Sequence, residues 1–325
     1  MNYIKYIDLF CGLGAFHHVM DRFNGECVFA CDINDKVRKI YEMNYGIKPA
    51  GDINSIDINS IPNHEILFSV FPCQTFSIAG NKAGFDDKTK GTLLFKVFEI
   101  IDIKLPPIVI LENVKNILSI DSGKTIKRIV TELENRGYTV SYKVMNAVFY
   151  GSPQCRERVF IVALRDGRTF TFPEEDKVNI RNVTDILHET ETNTYIDVGV
   201  KYTIHDINSK NIRYKPRKLY SIECNATGAT GQGYRIYDPN HPGITICSSS
   251  GGLGSKTGLY YIDDKIRKLN VIECLRMFGF PNNYKYNVEA TRMIGFLGNS
   301  IVTNVIEKIM TQLFAGNTII YIQVL

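Results

Sequence analysis

Strand-like and helix-like segments alternate through the first half of the chain, and this order limits the folds open to it. Apolar, β-branched runs of strand length occupy residues 3–10, 26–32, 64–71 and 106–114. Apolar residues recur at helical spacing in residues 34–46, 92–104 and 122–138. The pattern predicts an α/β fold with a doubly wound, mostly parallel sheet and helices on both faces. Ligands of such sheets bind at the carboxyl ends of the strands.

The composition of the chain changes after about residue 186. Thr, Asn, Gly, Lys and Tyr become frequent there, and glycine clusters recur in residues 225–258. This composition predicts a second, smaller, irregular and β-rich domain that ends near residue 270. Residues 270–280 then have a helical pattern, and an amphipathic helix within residues 299–314 is expected to pack back on the first domain.

Length and hydropathy exclude some classes of protein. The 325 residues are 44% hydrophobic, which is enough to bury a large core. The chain lacks both a signal-peptide pattern and an apolar run of the roughly 18 residues that a membrane helix needs. We therefore expect a cytosolic protein without membrane contact. The eight cysteines form no CxxC pair, which indicates reduced thiols, and neither Cys27 nor Cys31 has the neighbours of a metal site.

Positive charge is concentrated in one stretch of the second half. The net charge of +4 is modest, but residues 201–220 contain six Lys and Arg side chains against one acidic residue, Asp206. A solvated surface loop would have this composition. A surface that contacts nucleic-acid phosphates would have it too, because Lys and Arg release counterions from phosphates on binding.

A glycine turn follows the first predicted strand. The segment DLFCGLGAF at residues 8–16 is typical of a strand end, a tight turn and a helix start, where unpaired N–H groups can hold a ligand. The spacing Gly12-x-Gly14 lacks the third glycine of a nicotinamide fingerprint. Asp32 ends the next strand, where a carboxylate suits ribose hydroxyls. These features favour a nucleoside-containing cofactor over a structural turn.

Three further segments place reactive or charged side chains at strand ends. In FPCQTFSIAG, Cys73 follows a buried run, where it is either a strongly nucleophilic thiol or a small core residue. Glu112 ends an apolar strand, where a carboxyl group can exchange a proton near neutral pH or cap a helix. Arg156 and Arg158 stand at period two, which places them on the same side of a strand, and both guanidinium groups need acceptors.

Taken in order, these segments resemble a known motif set. DLFCGLGAF, FPCQTFS, LENVKN, QCRERVF, RKLNVIECLRMFGFP and GNSIV resemble the motifs of the DNA cytosine carbon-5 methyltransferases, over nearly all of the chain. The chain is most like the short bacterial enzymes of type II restriction-modification systems. The resemblance implies a Rossmann-like methyltransferase domain at residues 1–186 with 293–325, a target-recognition domain at 187–270, and a hinge at 271–292.

The resemblance also implies a cofactor and a chemistry. The methyl donor would be S-adenosyl-L-methionine, with S-adenosyl-L-homocysteine as the product. Its binding residues would be Phe10, Gly12, Leu13, Gly14, Asp32, Asp52, Ile53, Pro72, Asn299 and Ser300. The catalytic residues would be Cys73 as the nucleophile, Glu112 at ring nitrogen 3, Arg158 at the ring carbonyl, and Arg156 in support. One departure from the family pattern is Ile33, which stands where an aromatic residue neighbours the cofactor.

The implied substrate is a cytosine rotated out of double-stranded DNA. GQGYRIYD and GITICSSSGGLGSKTG resemble the target domain of a bacterial enzyme that methylates the inner cytosine of GCGC. On that match, Gln232 fills the space of the flipped base, Arg235 reads guanine, and Thr245 and Ser77 also contact DNA. The enzyme is expected to act as a monomer, and a cognate restriction endonuclease would share its site without a stable complex.

Other functions stay open from the sequence. A relative of this family uses the same Pro-Cys motif on transfer RNA, so a tRNA cytosine-5 methyltransferase is the main alternative. A nucleic-acid-binding protein without catalysis and a nicotinamide oxidoreductase are further alternatives. The joint presence of Cys73, Glu112 and Arg158 disfavours the former, and the missing third glycine disfavours the latter.

Overall fold

The computed structural model describes residues 3–72, 93–188, 195–197, 202–224 and 232–315. Within these ranges the chain forms two β-sheets, one of six strands and one of five. The strands of the larger sheet are β1 (Ile4–Leu9), β2 (Gly25–Cys31), β3 (Ile66–Ser69), β4 (Ile108–Val114), β5 (Thr139–Asn146) and β6 (Glu157–Leu164).

The larger sheet has the strand order β2-β1-β3-β4-β6-β5. Strands β1 to β4 are parallel, and β6 runs antiparallel to β4. The predicted doubly wound, mostly parallel sheet is therefore confirmed. Because β1 has β2 on one side and β3 on the other, the chain reverses its winding direction beside β1, and ligands of such sheets bind at this point.

Seven α-helices lie within the described residues. They are α1 (Ala15–Met20), α2 (Asp35–Tyr45), α3 (Leu93–Lys104), α4 (Lys124–Glu134), α5 (Val271–Phe278), α6 (Ala290–Gly298) and α7 (Thr303–Phe314). Local sequence fixes the ends of α2: the Asn34 side chain accepts hydrogen bonds from the N–H groups of Lys36 and Val37, and Gly46 ends the helix in the left-handed region.

The core of the larger sheet explains why its strands read as continuous apolar runs. All four residues of β3 and the first six of β4 are buried, as expected for strands covered on both faces. Helices α3 and α4 contribute side chains such as Val97, Ile101 and Ile129 to the same cluster. Glu112 is thus placed on a strand that packing holds rigidly.

The second sheet is smaller and shallower. Its strands are β7 (Tyr202–Asp206), β8 (Lys218–Cys224), β9 (Arg235–Tyr237), β10 (Leu259–Ile262) and β11 (Lys265–Arg267), in the order β11-β10-β9-β8-β7. Three fully buried residues, Ile222, Ile236 and Leu259, form its core. The prediction of a second, smaller β-rich region is confirmed.

The chain divides into two compact units. One comprises Met1–Met145, Glu157–Pro173 and Glu307–Leu325, and the other comprises Asn146–Arg156 and Glu174–Ile306. The functional division into catalytic, target-recognition and hinge segments stays a prediction.

The end of α7 packs within the first compact unit. The Arg22 guanidinium donates to the Glu307 carboxylate at 2.8 Å, and the rings of Phe23 and Phe314 lie 5.6 Å apart. The expectation that the last helix returns to the first domain is met by these contacts.

No helix in the described part of the chain is long and apolar enough to cross a membrane.

Candidate active site

The glycine turn between β1 and α1 has a backbone conformation that favours glycine, and it packs closely on Tyr45. Gly12 and Gly14 have φ angles of 53° and 74°, in the left-handed region that favours glycine. A Cβ atom on Gly14 would lie 2.3 Å from the Tyr45 ring, whose hydroxyl donates to the Gly14 carbonyl at 3.0 Å. Of the neighbouring predicted cofactor residues, Leu13 is buried and Phe10 is half-buried, also with a positive φ.

Asp32 links the end of β2 to this turn. Its carboxylate accepts hydrogen bonds from the Gly12 N–H at 3.0 Å and from the Asn34 N–H at 2.8 Å. Burial raises the pKa of Asp32 above its usual value, and these two hydrogen bonds and the Arg38 charge oppose the rise. The turn and the carboxylate are therefore held together before any ligand binds.

Asp52, Ile53 and Ile33 border the same strand ends. The Asp52 carboxylate accepts a hydrogen bond from the Asn54 N–H at 3.0 Å, which caps a short 3₁₀ turn that begins at Ile53. Ile53 is buried, whereas Ile33, directly after Asp32, exposes 75% of its surface. An exposed apolar side chain beside these carboxylates is available to cover a flat ring.

Asp8 provides an independent indication that a ligand belongs here. Its side chain is fully buried at the end of β1, and neither carboxyl oxygen has a hydrogen-bond partner among the described residues. Burial, followed by the charge of Asp32, raises the pKa of Asp8 well above its usual range. Buried polar atoms without partners are rare in native proteins, so the region fits a ligand that brings hydrogen-bond donors.

The segment that leads into Cys73 is fixed by two hydrogen bonds. The Val70 N–H donates to the Leu9 carbonyl at 3.2 Å, and the Asn113 side chain donates to the Phe71 carbonyl at 2.8 Å. Pro72 follows and is exposed. Cys73 itself, like Ser77, lies outside the described residues. Sequence reasoning did not give Asn113 this positioning role, although its place at a strand end was visible.

Glu112 and Arg158 form a buried ion pair. The Arg158 Nε atom lies 3.2 Å from the Glu112 Oε1 atom, and their side chains are 17% and 5% exposed. The pair arises because β4 and β6 are antiparallel neighbours, with Val114 opposite Arg158 and Glu112 opposite Phe160. Glu112 also immediately precedes Asn113, which holds the Phe71 carbonyl. The carboxylate and guanidinium expected to act on a substrate ring are therefore adjacent.

Arg156 has a different environment from Arg158. It precedes β6, in the second compact unit, and is 2% exposed. Its guanidinium donates to the main-chain carbonyls of Ile246, Gly298 and Ser300 at 3.0, 2.9 and 2.7 Å. The expectation that the two arginines lie on the same side of a strand is therefore wrong, because β6 begins at Glu157, after Arg156, and the two side chains meet different partners.

The other predicted site residues also lie in the second compact unit. Asn299 is exposed and Ser300 is buried in the turn after α6. Thr245 donates through its hydroxyl to the Cys155 carbonyl. Arg235 begins β9 and lies beside the Tyr237 hydroxyl, whose pKa is raised by burial and partly lowered again by Arg235. Gln232 begins a short 3₁₀ turn.

The positive stretch forms a loop between β7 and β8, which we call the basic loop (residues 207–217). Lys210, Arg213 and Lys215 are exposed, whereas Arg217 pairs with the Asp238 carboxylate at 3.2 Å. Tyr214 anchors the loop: its carbonyl accepts a hydrogen bond from the Cys155 thiol at 3.2 Å. No group of three or more His, Cys, Asp or Glu side chains in the described ranges could hold a metal ion.

A family model and curated relatives match nearly the whole chain. The model of the C-5 cytosine-specific DNA methylases matches residues 4–315. The type II methyltransferase M.HhaI of Haemophilus parahaemolyticus is 36% identical over 309 residues, which cover 94% of this chain and 93% of that protein. M.NgoBI of Neisseria gonorrhoeae, also a type II methyltransferase, is 35% identical over 97% of this chain and 95% of its own length.

Solved structures share the fold at low identity. The crystal structure of the Dnmt2 methyltransferase of S. pombe has a TM-score of 0.73 and 17% identity, covering 97% of this chain and 99% of that chain. The Entamoeba histolytica methyltransferase EhMeth has a TM-score of 0.71 and 18% identity, with 98% and 99% coverage. These structures show that the chain has a Rossmann-like methyltransferase fold.

The chain belongs to the C-5 cytosine-specific DNA methylase family. It is a DNA cytosine-5 methyltransferase of the bacterial type II kind, as the sequence motifs predicted. Membership implies S-adenosyl-methionine as the methyl donor, and the glycine turn, Asp32 and the unpaired Asp8 carboxyl fit such a ligand.

Proposed function

We propose that the chain methylates carbon 5 of a cytosine flipped out of duplex DNA, through a covalent adduct between Cys73 and carbon 6. The observation that carries the proposal is the buried Glu112–Arg158 pair, with 3.2 Å between Nε and Oε1. Its neighbour Asn113 holds the segment that ends at Cys73. A nucleophile, a carboxyl group and a guanidinium would then converge on one planar ring.

Cofactor binding is assigned to the carboxyl ends of β1, β2 and β3. S-adenosyl-methionine supplies an electrophilic methyl group when bound. Asp32 accepts hydrogen bonds from the ribose hydroxyls, and Asp52 and Ile53 contact the adenine. The turn from Phe10 to Gly14 contacts the rest of the cofactor. Pro72, Asn299 and Ser300 complete the proposed set.

The proposed reaction answers a problem of reactivity. Carbon 5 of cytosine is too weak a nucleophile to take a methyl group unaided. The Cys73 thiolate forms a bond to carbon 6, and the electron pair of the 5,6 double bond moves to carbon 5. Glu112 holds or protonates nitrogen 3 and Arg158 donates to the carbonyl oxygen, where electron density increases. Carbon 5 takes the methyl group, and the bond between that group and the donor sulfur breaks, which leaves S-adenosyl-homocysteine. Carbon 5 then loses its proton to solvent, the double bond re-forms, and the thiolate leaves.

Recognition of DNA is assigned to the second sheet and its loops. A target base must leave the helix at a cost of a few kcal/mol. Gln232 takes its place, Arg235 reads a guanine, and Thr245 and Ser77 contact the neighbouring nucleotides. The motif resemblance favours the inner cytosine of GCGC, and the basic loop is suited to phosphates. We assign residues 187–270 to target recognition, 271–292 to a hinge, and 1–186 with 293–325 to catalysis.

A role in bacterial restriction-modification follows from this proposal. The enzyme would act as a monomer in the cytosol and protect host DNA from an endonuclease that cleaves the same sequence. Support comes from its likeness to type II methyltransferases over more than nine-tenths of the chain. DNA from a host that expresses the chain should then resist an endonuclease that cuts GCGC.

Transfer of a labelled methyl group tests the substrate. Purified protein is given labelled S-adenosyl-methionine with duplex DNA, with transfer RNA, or with neither. We expect label in duplex DNA alone. Label in transfer RNA alone would reject the DNA substrate, and label in neither, with folded protein that binds cofactor, would reject catalysis.

A trapping experiment tests the adduct. Duplex DNA with 5-fluorocytosine at the target position cannot lose a proton from carbon 5 after methylation, so the Cys73–carbon 6 bond should persist. We expect a denaturation-resistant complex from the wild type and none from Cys73→Ala. Cys247→Ala, which removes another partly exposed thiol, is the matched control and should still be trapped. A complex that survives Cys73→Ala would contradict the nucleophile assignment.

A further inference from the structure

Arg156 holds two separate segments of the second compact unit at one buried point. One Nη atom donates to the Ile246 carbonyl at 3.0 Å, and the other donates to Gly298 and Ser300 at 2.9 and 2.7 Å. The guanidinium also packs 5.1 Å from the centre of the Phe278 ring. Ile246 lies beside Thr245, and Gly298 and Ser300 flank Asn299, so each acceptor neighbours a proposed ligand contact.

Two further contacts hold the segment of residues 245–248. On one side, the buried Gln154 side chain accepts a hydrogen bond from the Ile246 N–H at 3.1 Å. On the other side, a Cβ atom on Gly298 would lie 2.3 Å from the main chain of Cys247 and Ser248. The end of α6 and this segment are therefore in direct contact.

We propose that Arg156 is a positioning residue that couples cofactor binding to DNA binding. The inference rests on the proposed function, in which Asn299 and Ser300 contact the cofactor and Thr245 contacts DNA. When the cofactor orders the turn, the Arg156 hydrogen bonds order residues 245–248 as well. Arg156 thus acts through these two segments, whereas Arg158 faces Glu112 in the other compact unit.

The shape of the side chain supports this role. A guanidinium is planar and offers five N–H donors in fixed directions, so it can serve carbonyls of two segments at once. A Lys ammonium is a compact charge on a flexible stem and does not reproduce that fork. Arg156→Lys should therefore keep a buried positive charge but lose the fixed geometry that joins the segments.

The test measures coupling between two ligands. The Kd of duplex GCGC DNA is measured with and without S-adenosyl-homocysteine, and the ratio of the two values is the coupling factor. For the wild type we expect a factor of about 5 to 150 in favour of joint binding. By linkage, DNA must change the Kd of S-adenosyl-homocysteine by the same factor, which checks each measurement.

Arg156→Lys should reduce the coupling factor to near 1. Arg267→Lys is the matched control, because Arg267 is equally buried in the same compact unit and is paired with Glu273 at 2.8 Å. It should lower the melting temperature while the coupling factor stays as in the wild type. A coupling factor unchanged in Arg156→Lys, or lost equally in Arg267→Lys, would overturn the proposal.

A second variant keeps the proposal testable if Arg156→Lys does not fold. Phe278→Leu removes the ring beside the guanidinium and leaves every hydrogen-bonding group in place, so it should lower the coupling factor partially. An unchanged factor in folded Phe278→Leu would count against the proposal. If the wild-type enzyme methylates DNA but its coupling factor is 1, the role of Arg156 is rejected and the proposed function stands. If the wild-type enzyme methylates no DNA, the proposed function itself is rejected.

Discussion

The two sheets of this molecule differ in how firmly they hold their side chains. In the six-stranded sheet, six of the seven residues of β4 are buried, and Glu112 is fixed between packed neighbours. In the five-stranded sheet, four of the five residues of β7 are exposed, and three residues form the fully buried core. Chemistry on a ring needs groups fixed to a fraction of an ångström, whereas contacts with DNA tolerate adjustment.

This contrast predicts large effects at the rigid sheet and graded effects at the shallow one. Removing the Glu112 carboxyl should abolish most catalysis and leave DNA affinity, while changes in the second sheet and its basic loop should alter how DNA is bound.

Glu112→Gln should lower the rate of methyl transfer by about 10²- to 10⁴-fold, the usual contribution of a positioned acid or base. The amide keeps the size of the side chain but cannot supply a proton to ring nitrogen 3. Single-turnover transfer of labelled methyl groups measures the rate. Glu157→Gln is the control, since Glu157 is half-exposed and pairs with Lys115 at the surface. A rate for Glu112→Gln within a few-fold of the control would contradict the assignment.

Arg235→Ala should weaken discrimination at one guanine by about 1 to 3 kcal/mol, because a bidentate contact to a base edge is lost. Competition binding with duplexes that differ at each position of GCGC measures this effect. Lys265→Ala, at the exposed first residue of β11 in the same sheet, should leave the preference unchanged. Equal loss of affinity on every duplex would instead make Arg235 a phosphate contact and would contradict its role in reading a base.

Ile33→Trp should tighten cofactor binding by about 2- to 10-fold, since a stacked aromatic ring contributes about 0.5 to 1.5 kcal/mol beyond its buried area. The chain contains no Trp, so the new side chain is also its own fluorescent reporter. Titration with S-adenosyl-homocysteine should change the emission. Tyr3→Trp, just before the opposite end of β1, should give no response. Unchanged emission in Ile33→Trp would place the adenine elsewhere.

Lys210→Gln, Arg213→Gln and Lys215→Gln should each reduce the salt dependence of DNA binding. Each lost phosphate contact reduces the magnitude of the negative slope of log K against log salt by about 0.9, with no change in sequence preference. The measurement is DNA affinity at several salt concentrations. Lys39→Gln, which breaks the surface pair with Asp35, should leave the slope as in the wild type. Unchanged slopes for all three would make the basic loop a solvated surface.

The sequence predicted the larger sheet well because its strands are buried on both faces. Residues 106–114 read as one apolar run, and β4 occupies Ile108–Val114. Strand β5 was missed, since its eight residues are mostly half-buried and form no continuous apolar run. Helix α6 was missed as well, because its nine residues include Gly295 and Gly298, which lower helix propensity.

The sequence predicts the position of a site residue when that residue lies in or next to a single strand. It does not predict contacts between segments that are far apart in the chain. Asp32 directly follows β2 and Glu112 lies in the last three residues of β4, so local pattern places them near the expected sheet edge. The environment of Arg156 depends on carbonyls 90 to 144 residues further along the chain. The hydrogen bond from Asn113 to the Phe71 carbonyl depends on the pairing of β3 with β4. Local spacing carries no information about either contact.

Bisulfite sequencing of DNA from a methylation-free host that expresses this chain shows which cytosines the enzyme methylates. The account predicts 5-methylcytosine at the inner cytosine of GCGC and at no other sequence. Methylation confined to a different motif would retain Cys73, Glu112 and Arg158 but reject the roles of Gln232, Arg235 and Thr245. Unmethylated cytosines throughout, with folded protein that binds S-adenosyl-methionine, would contradict the account.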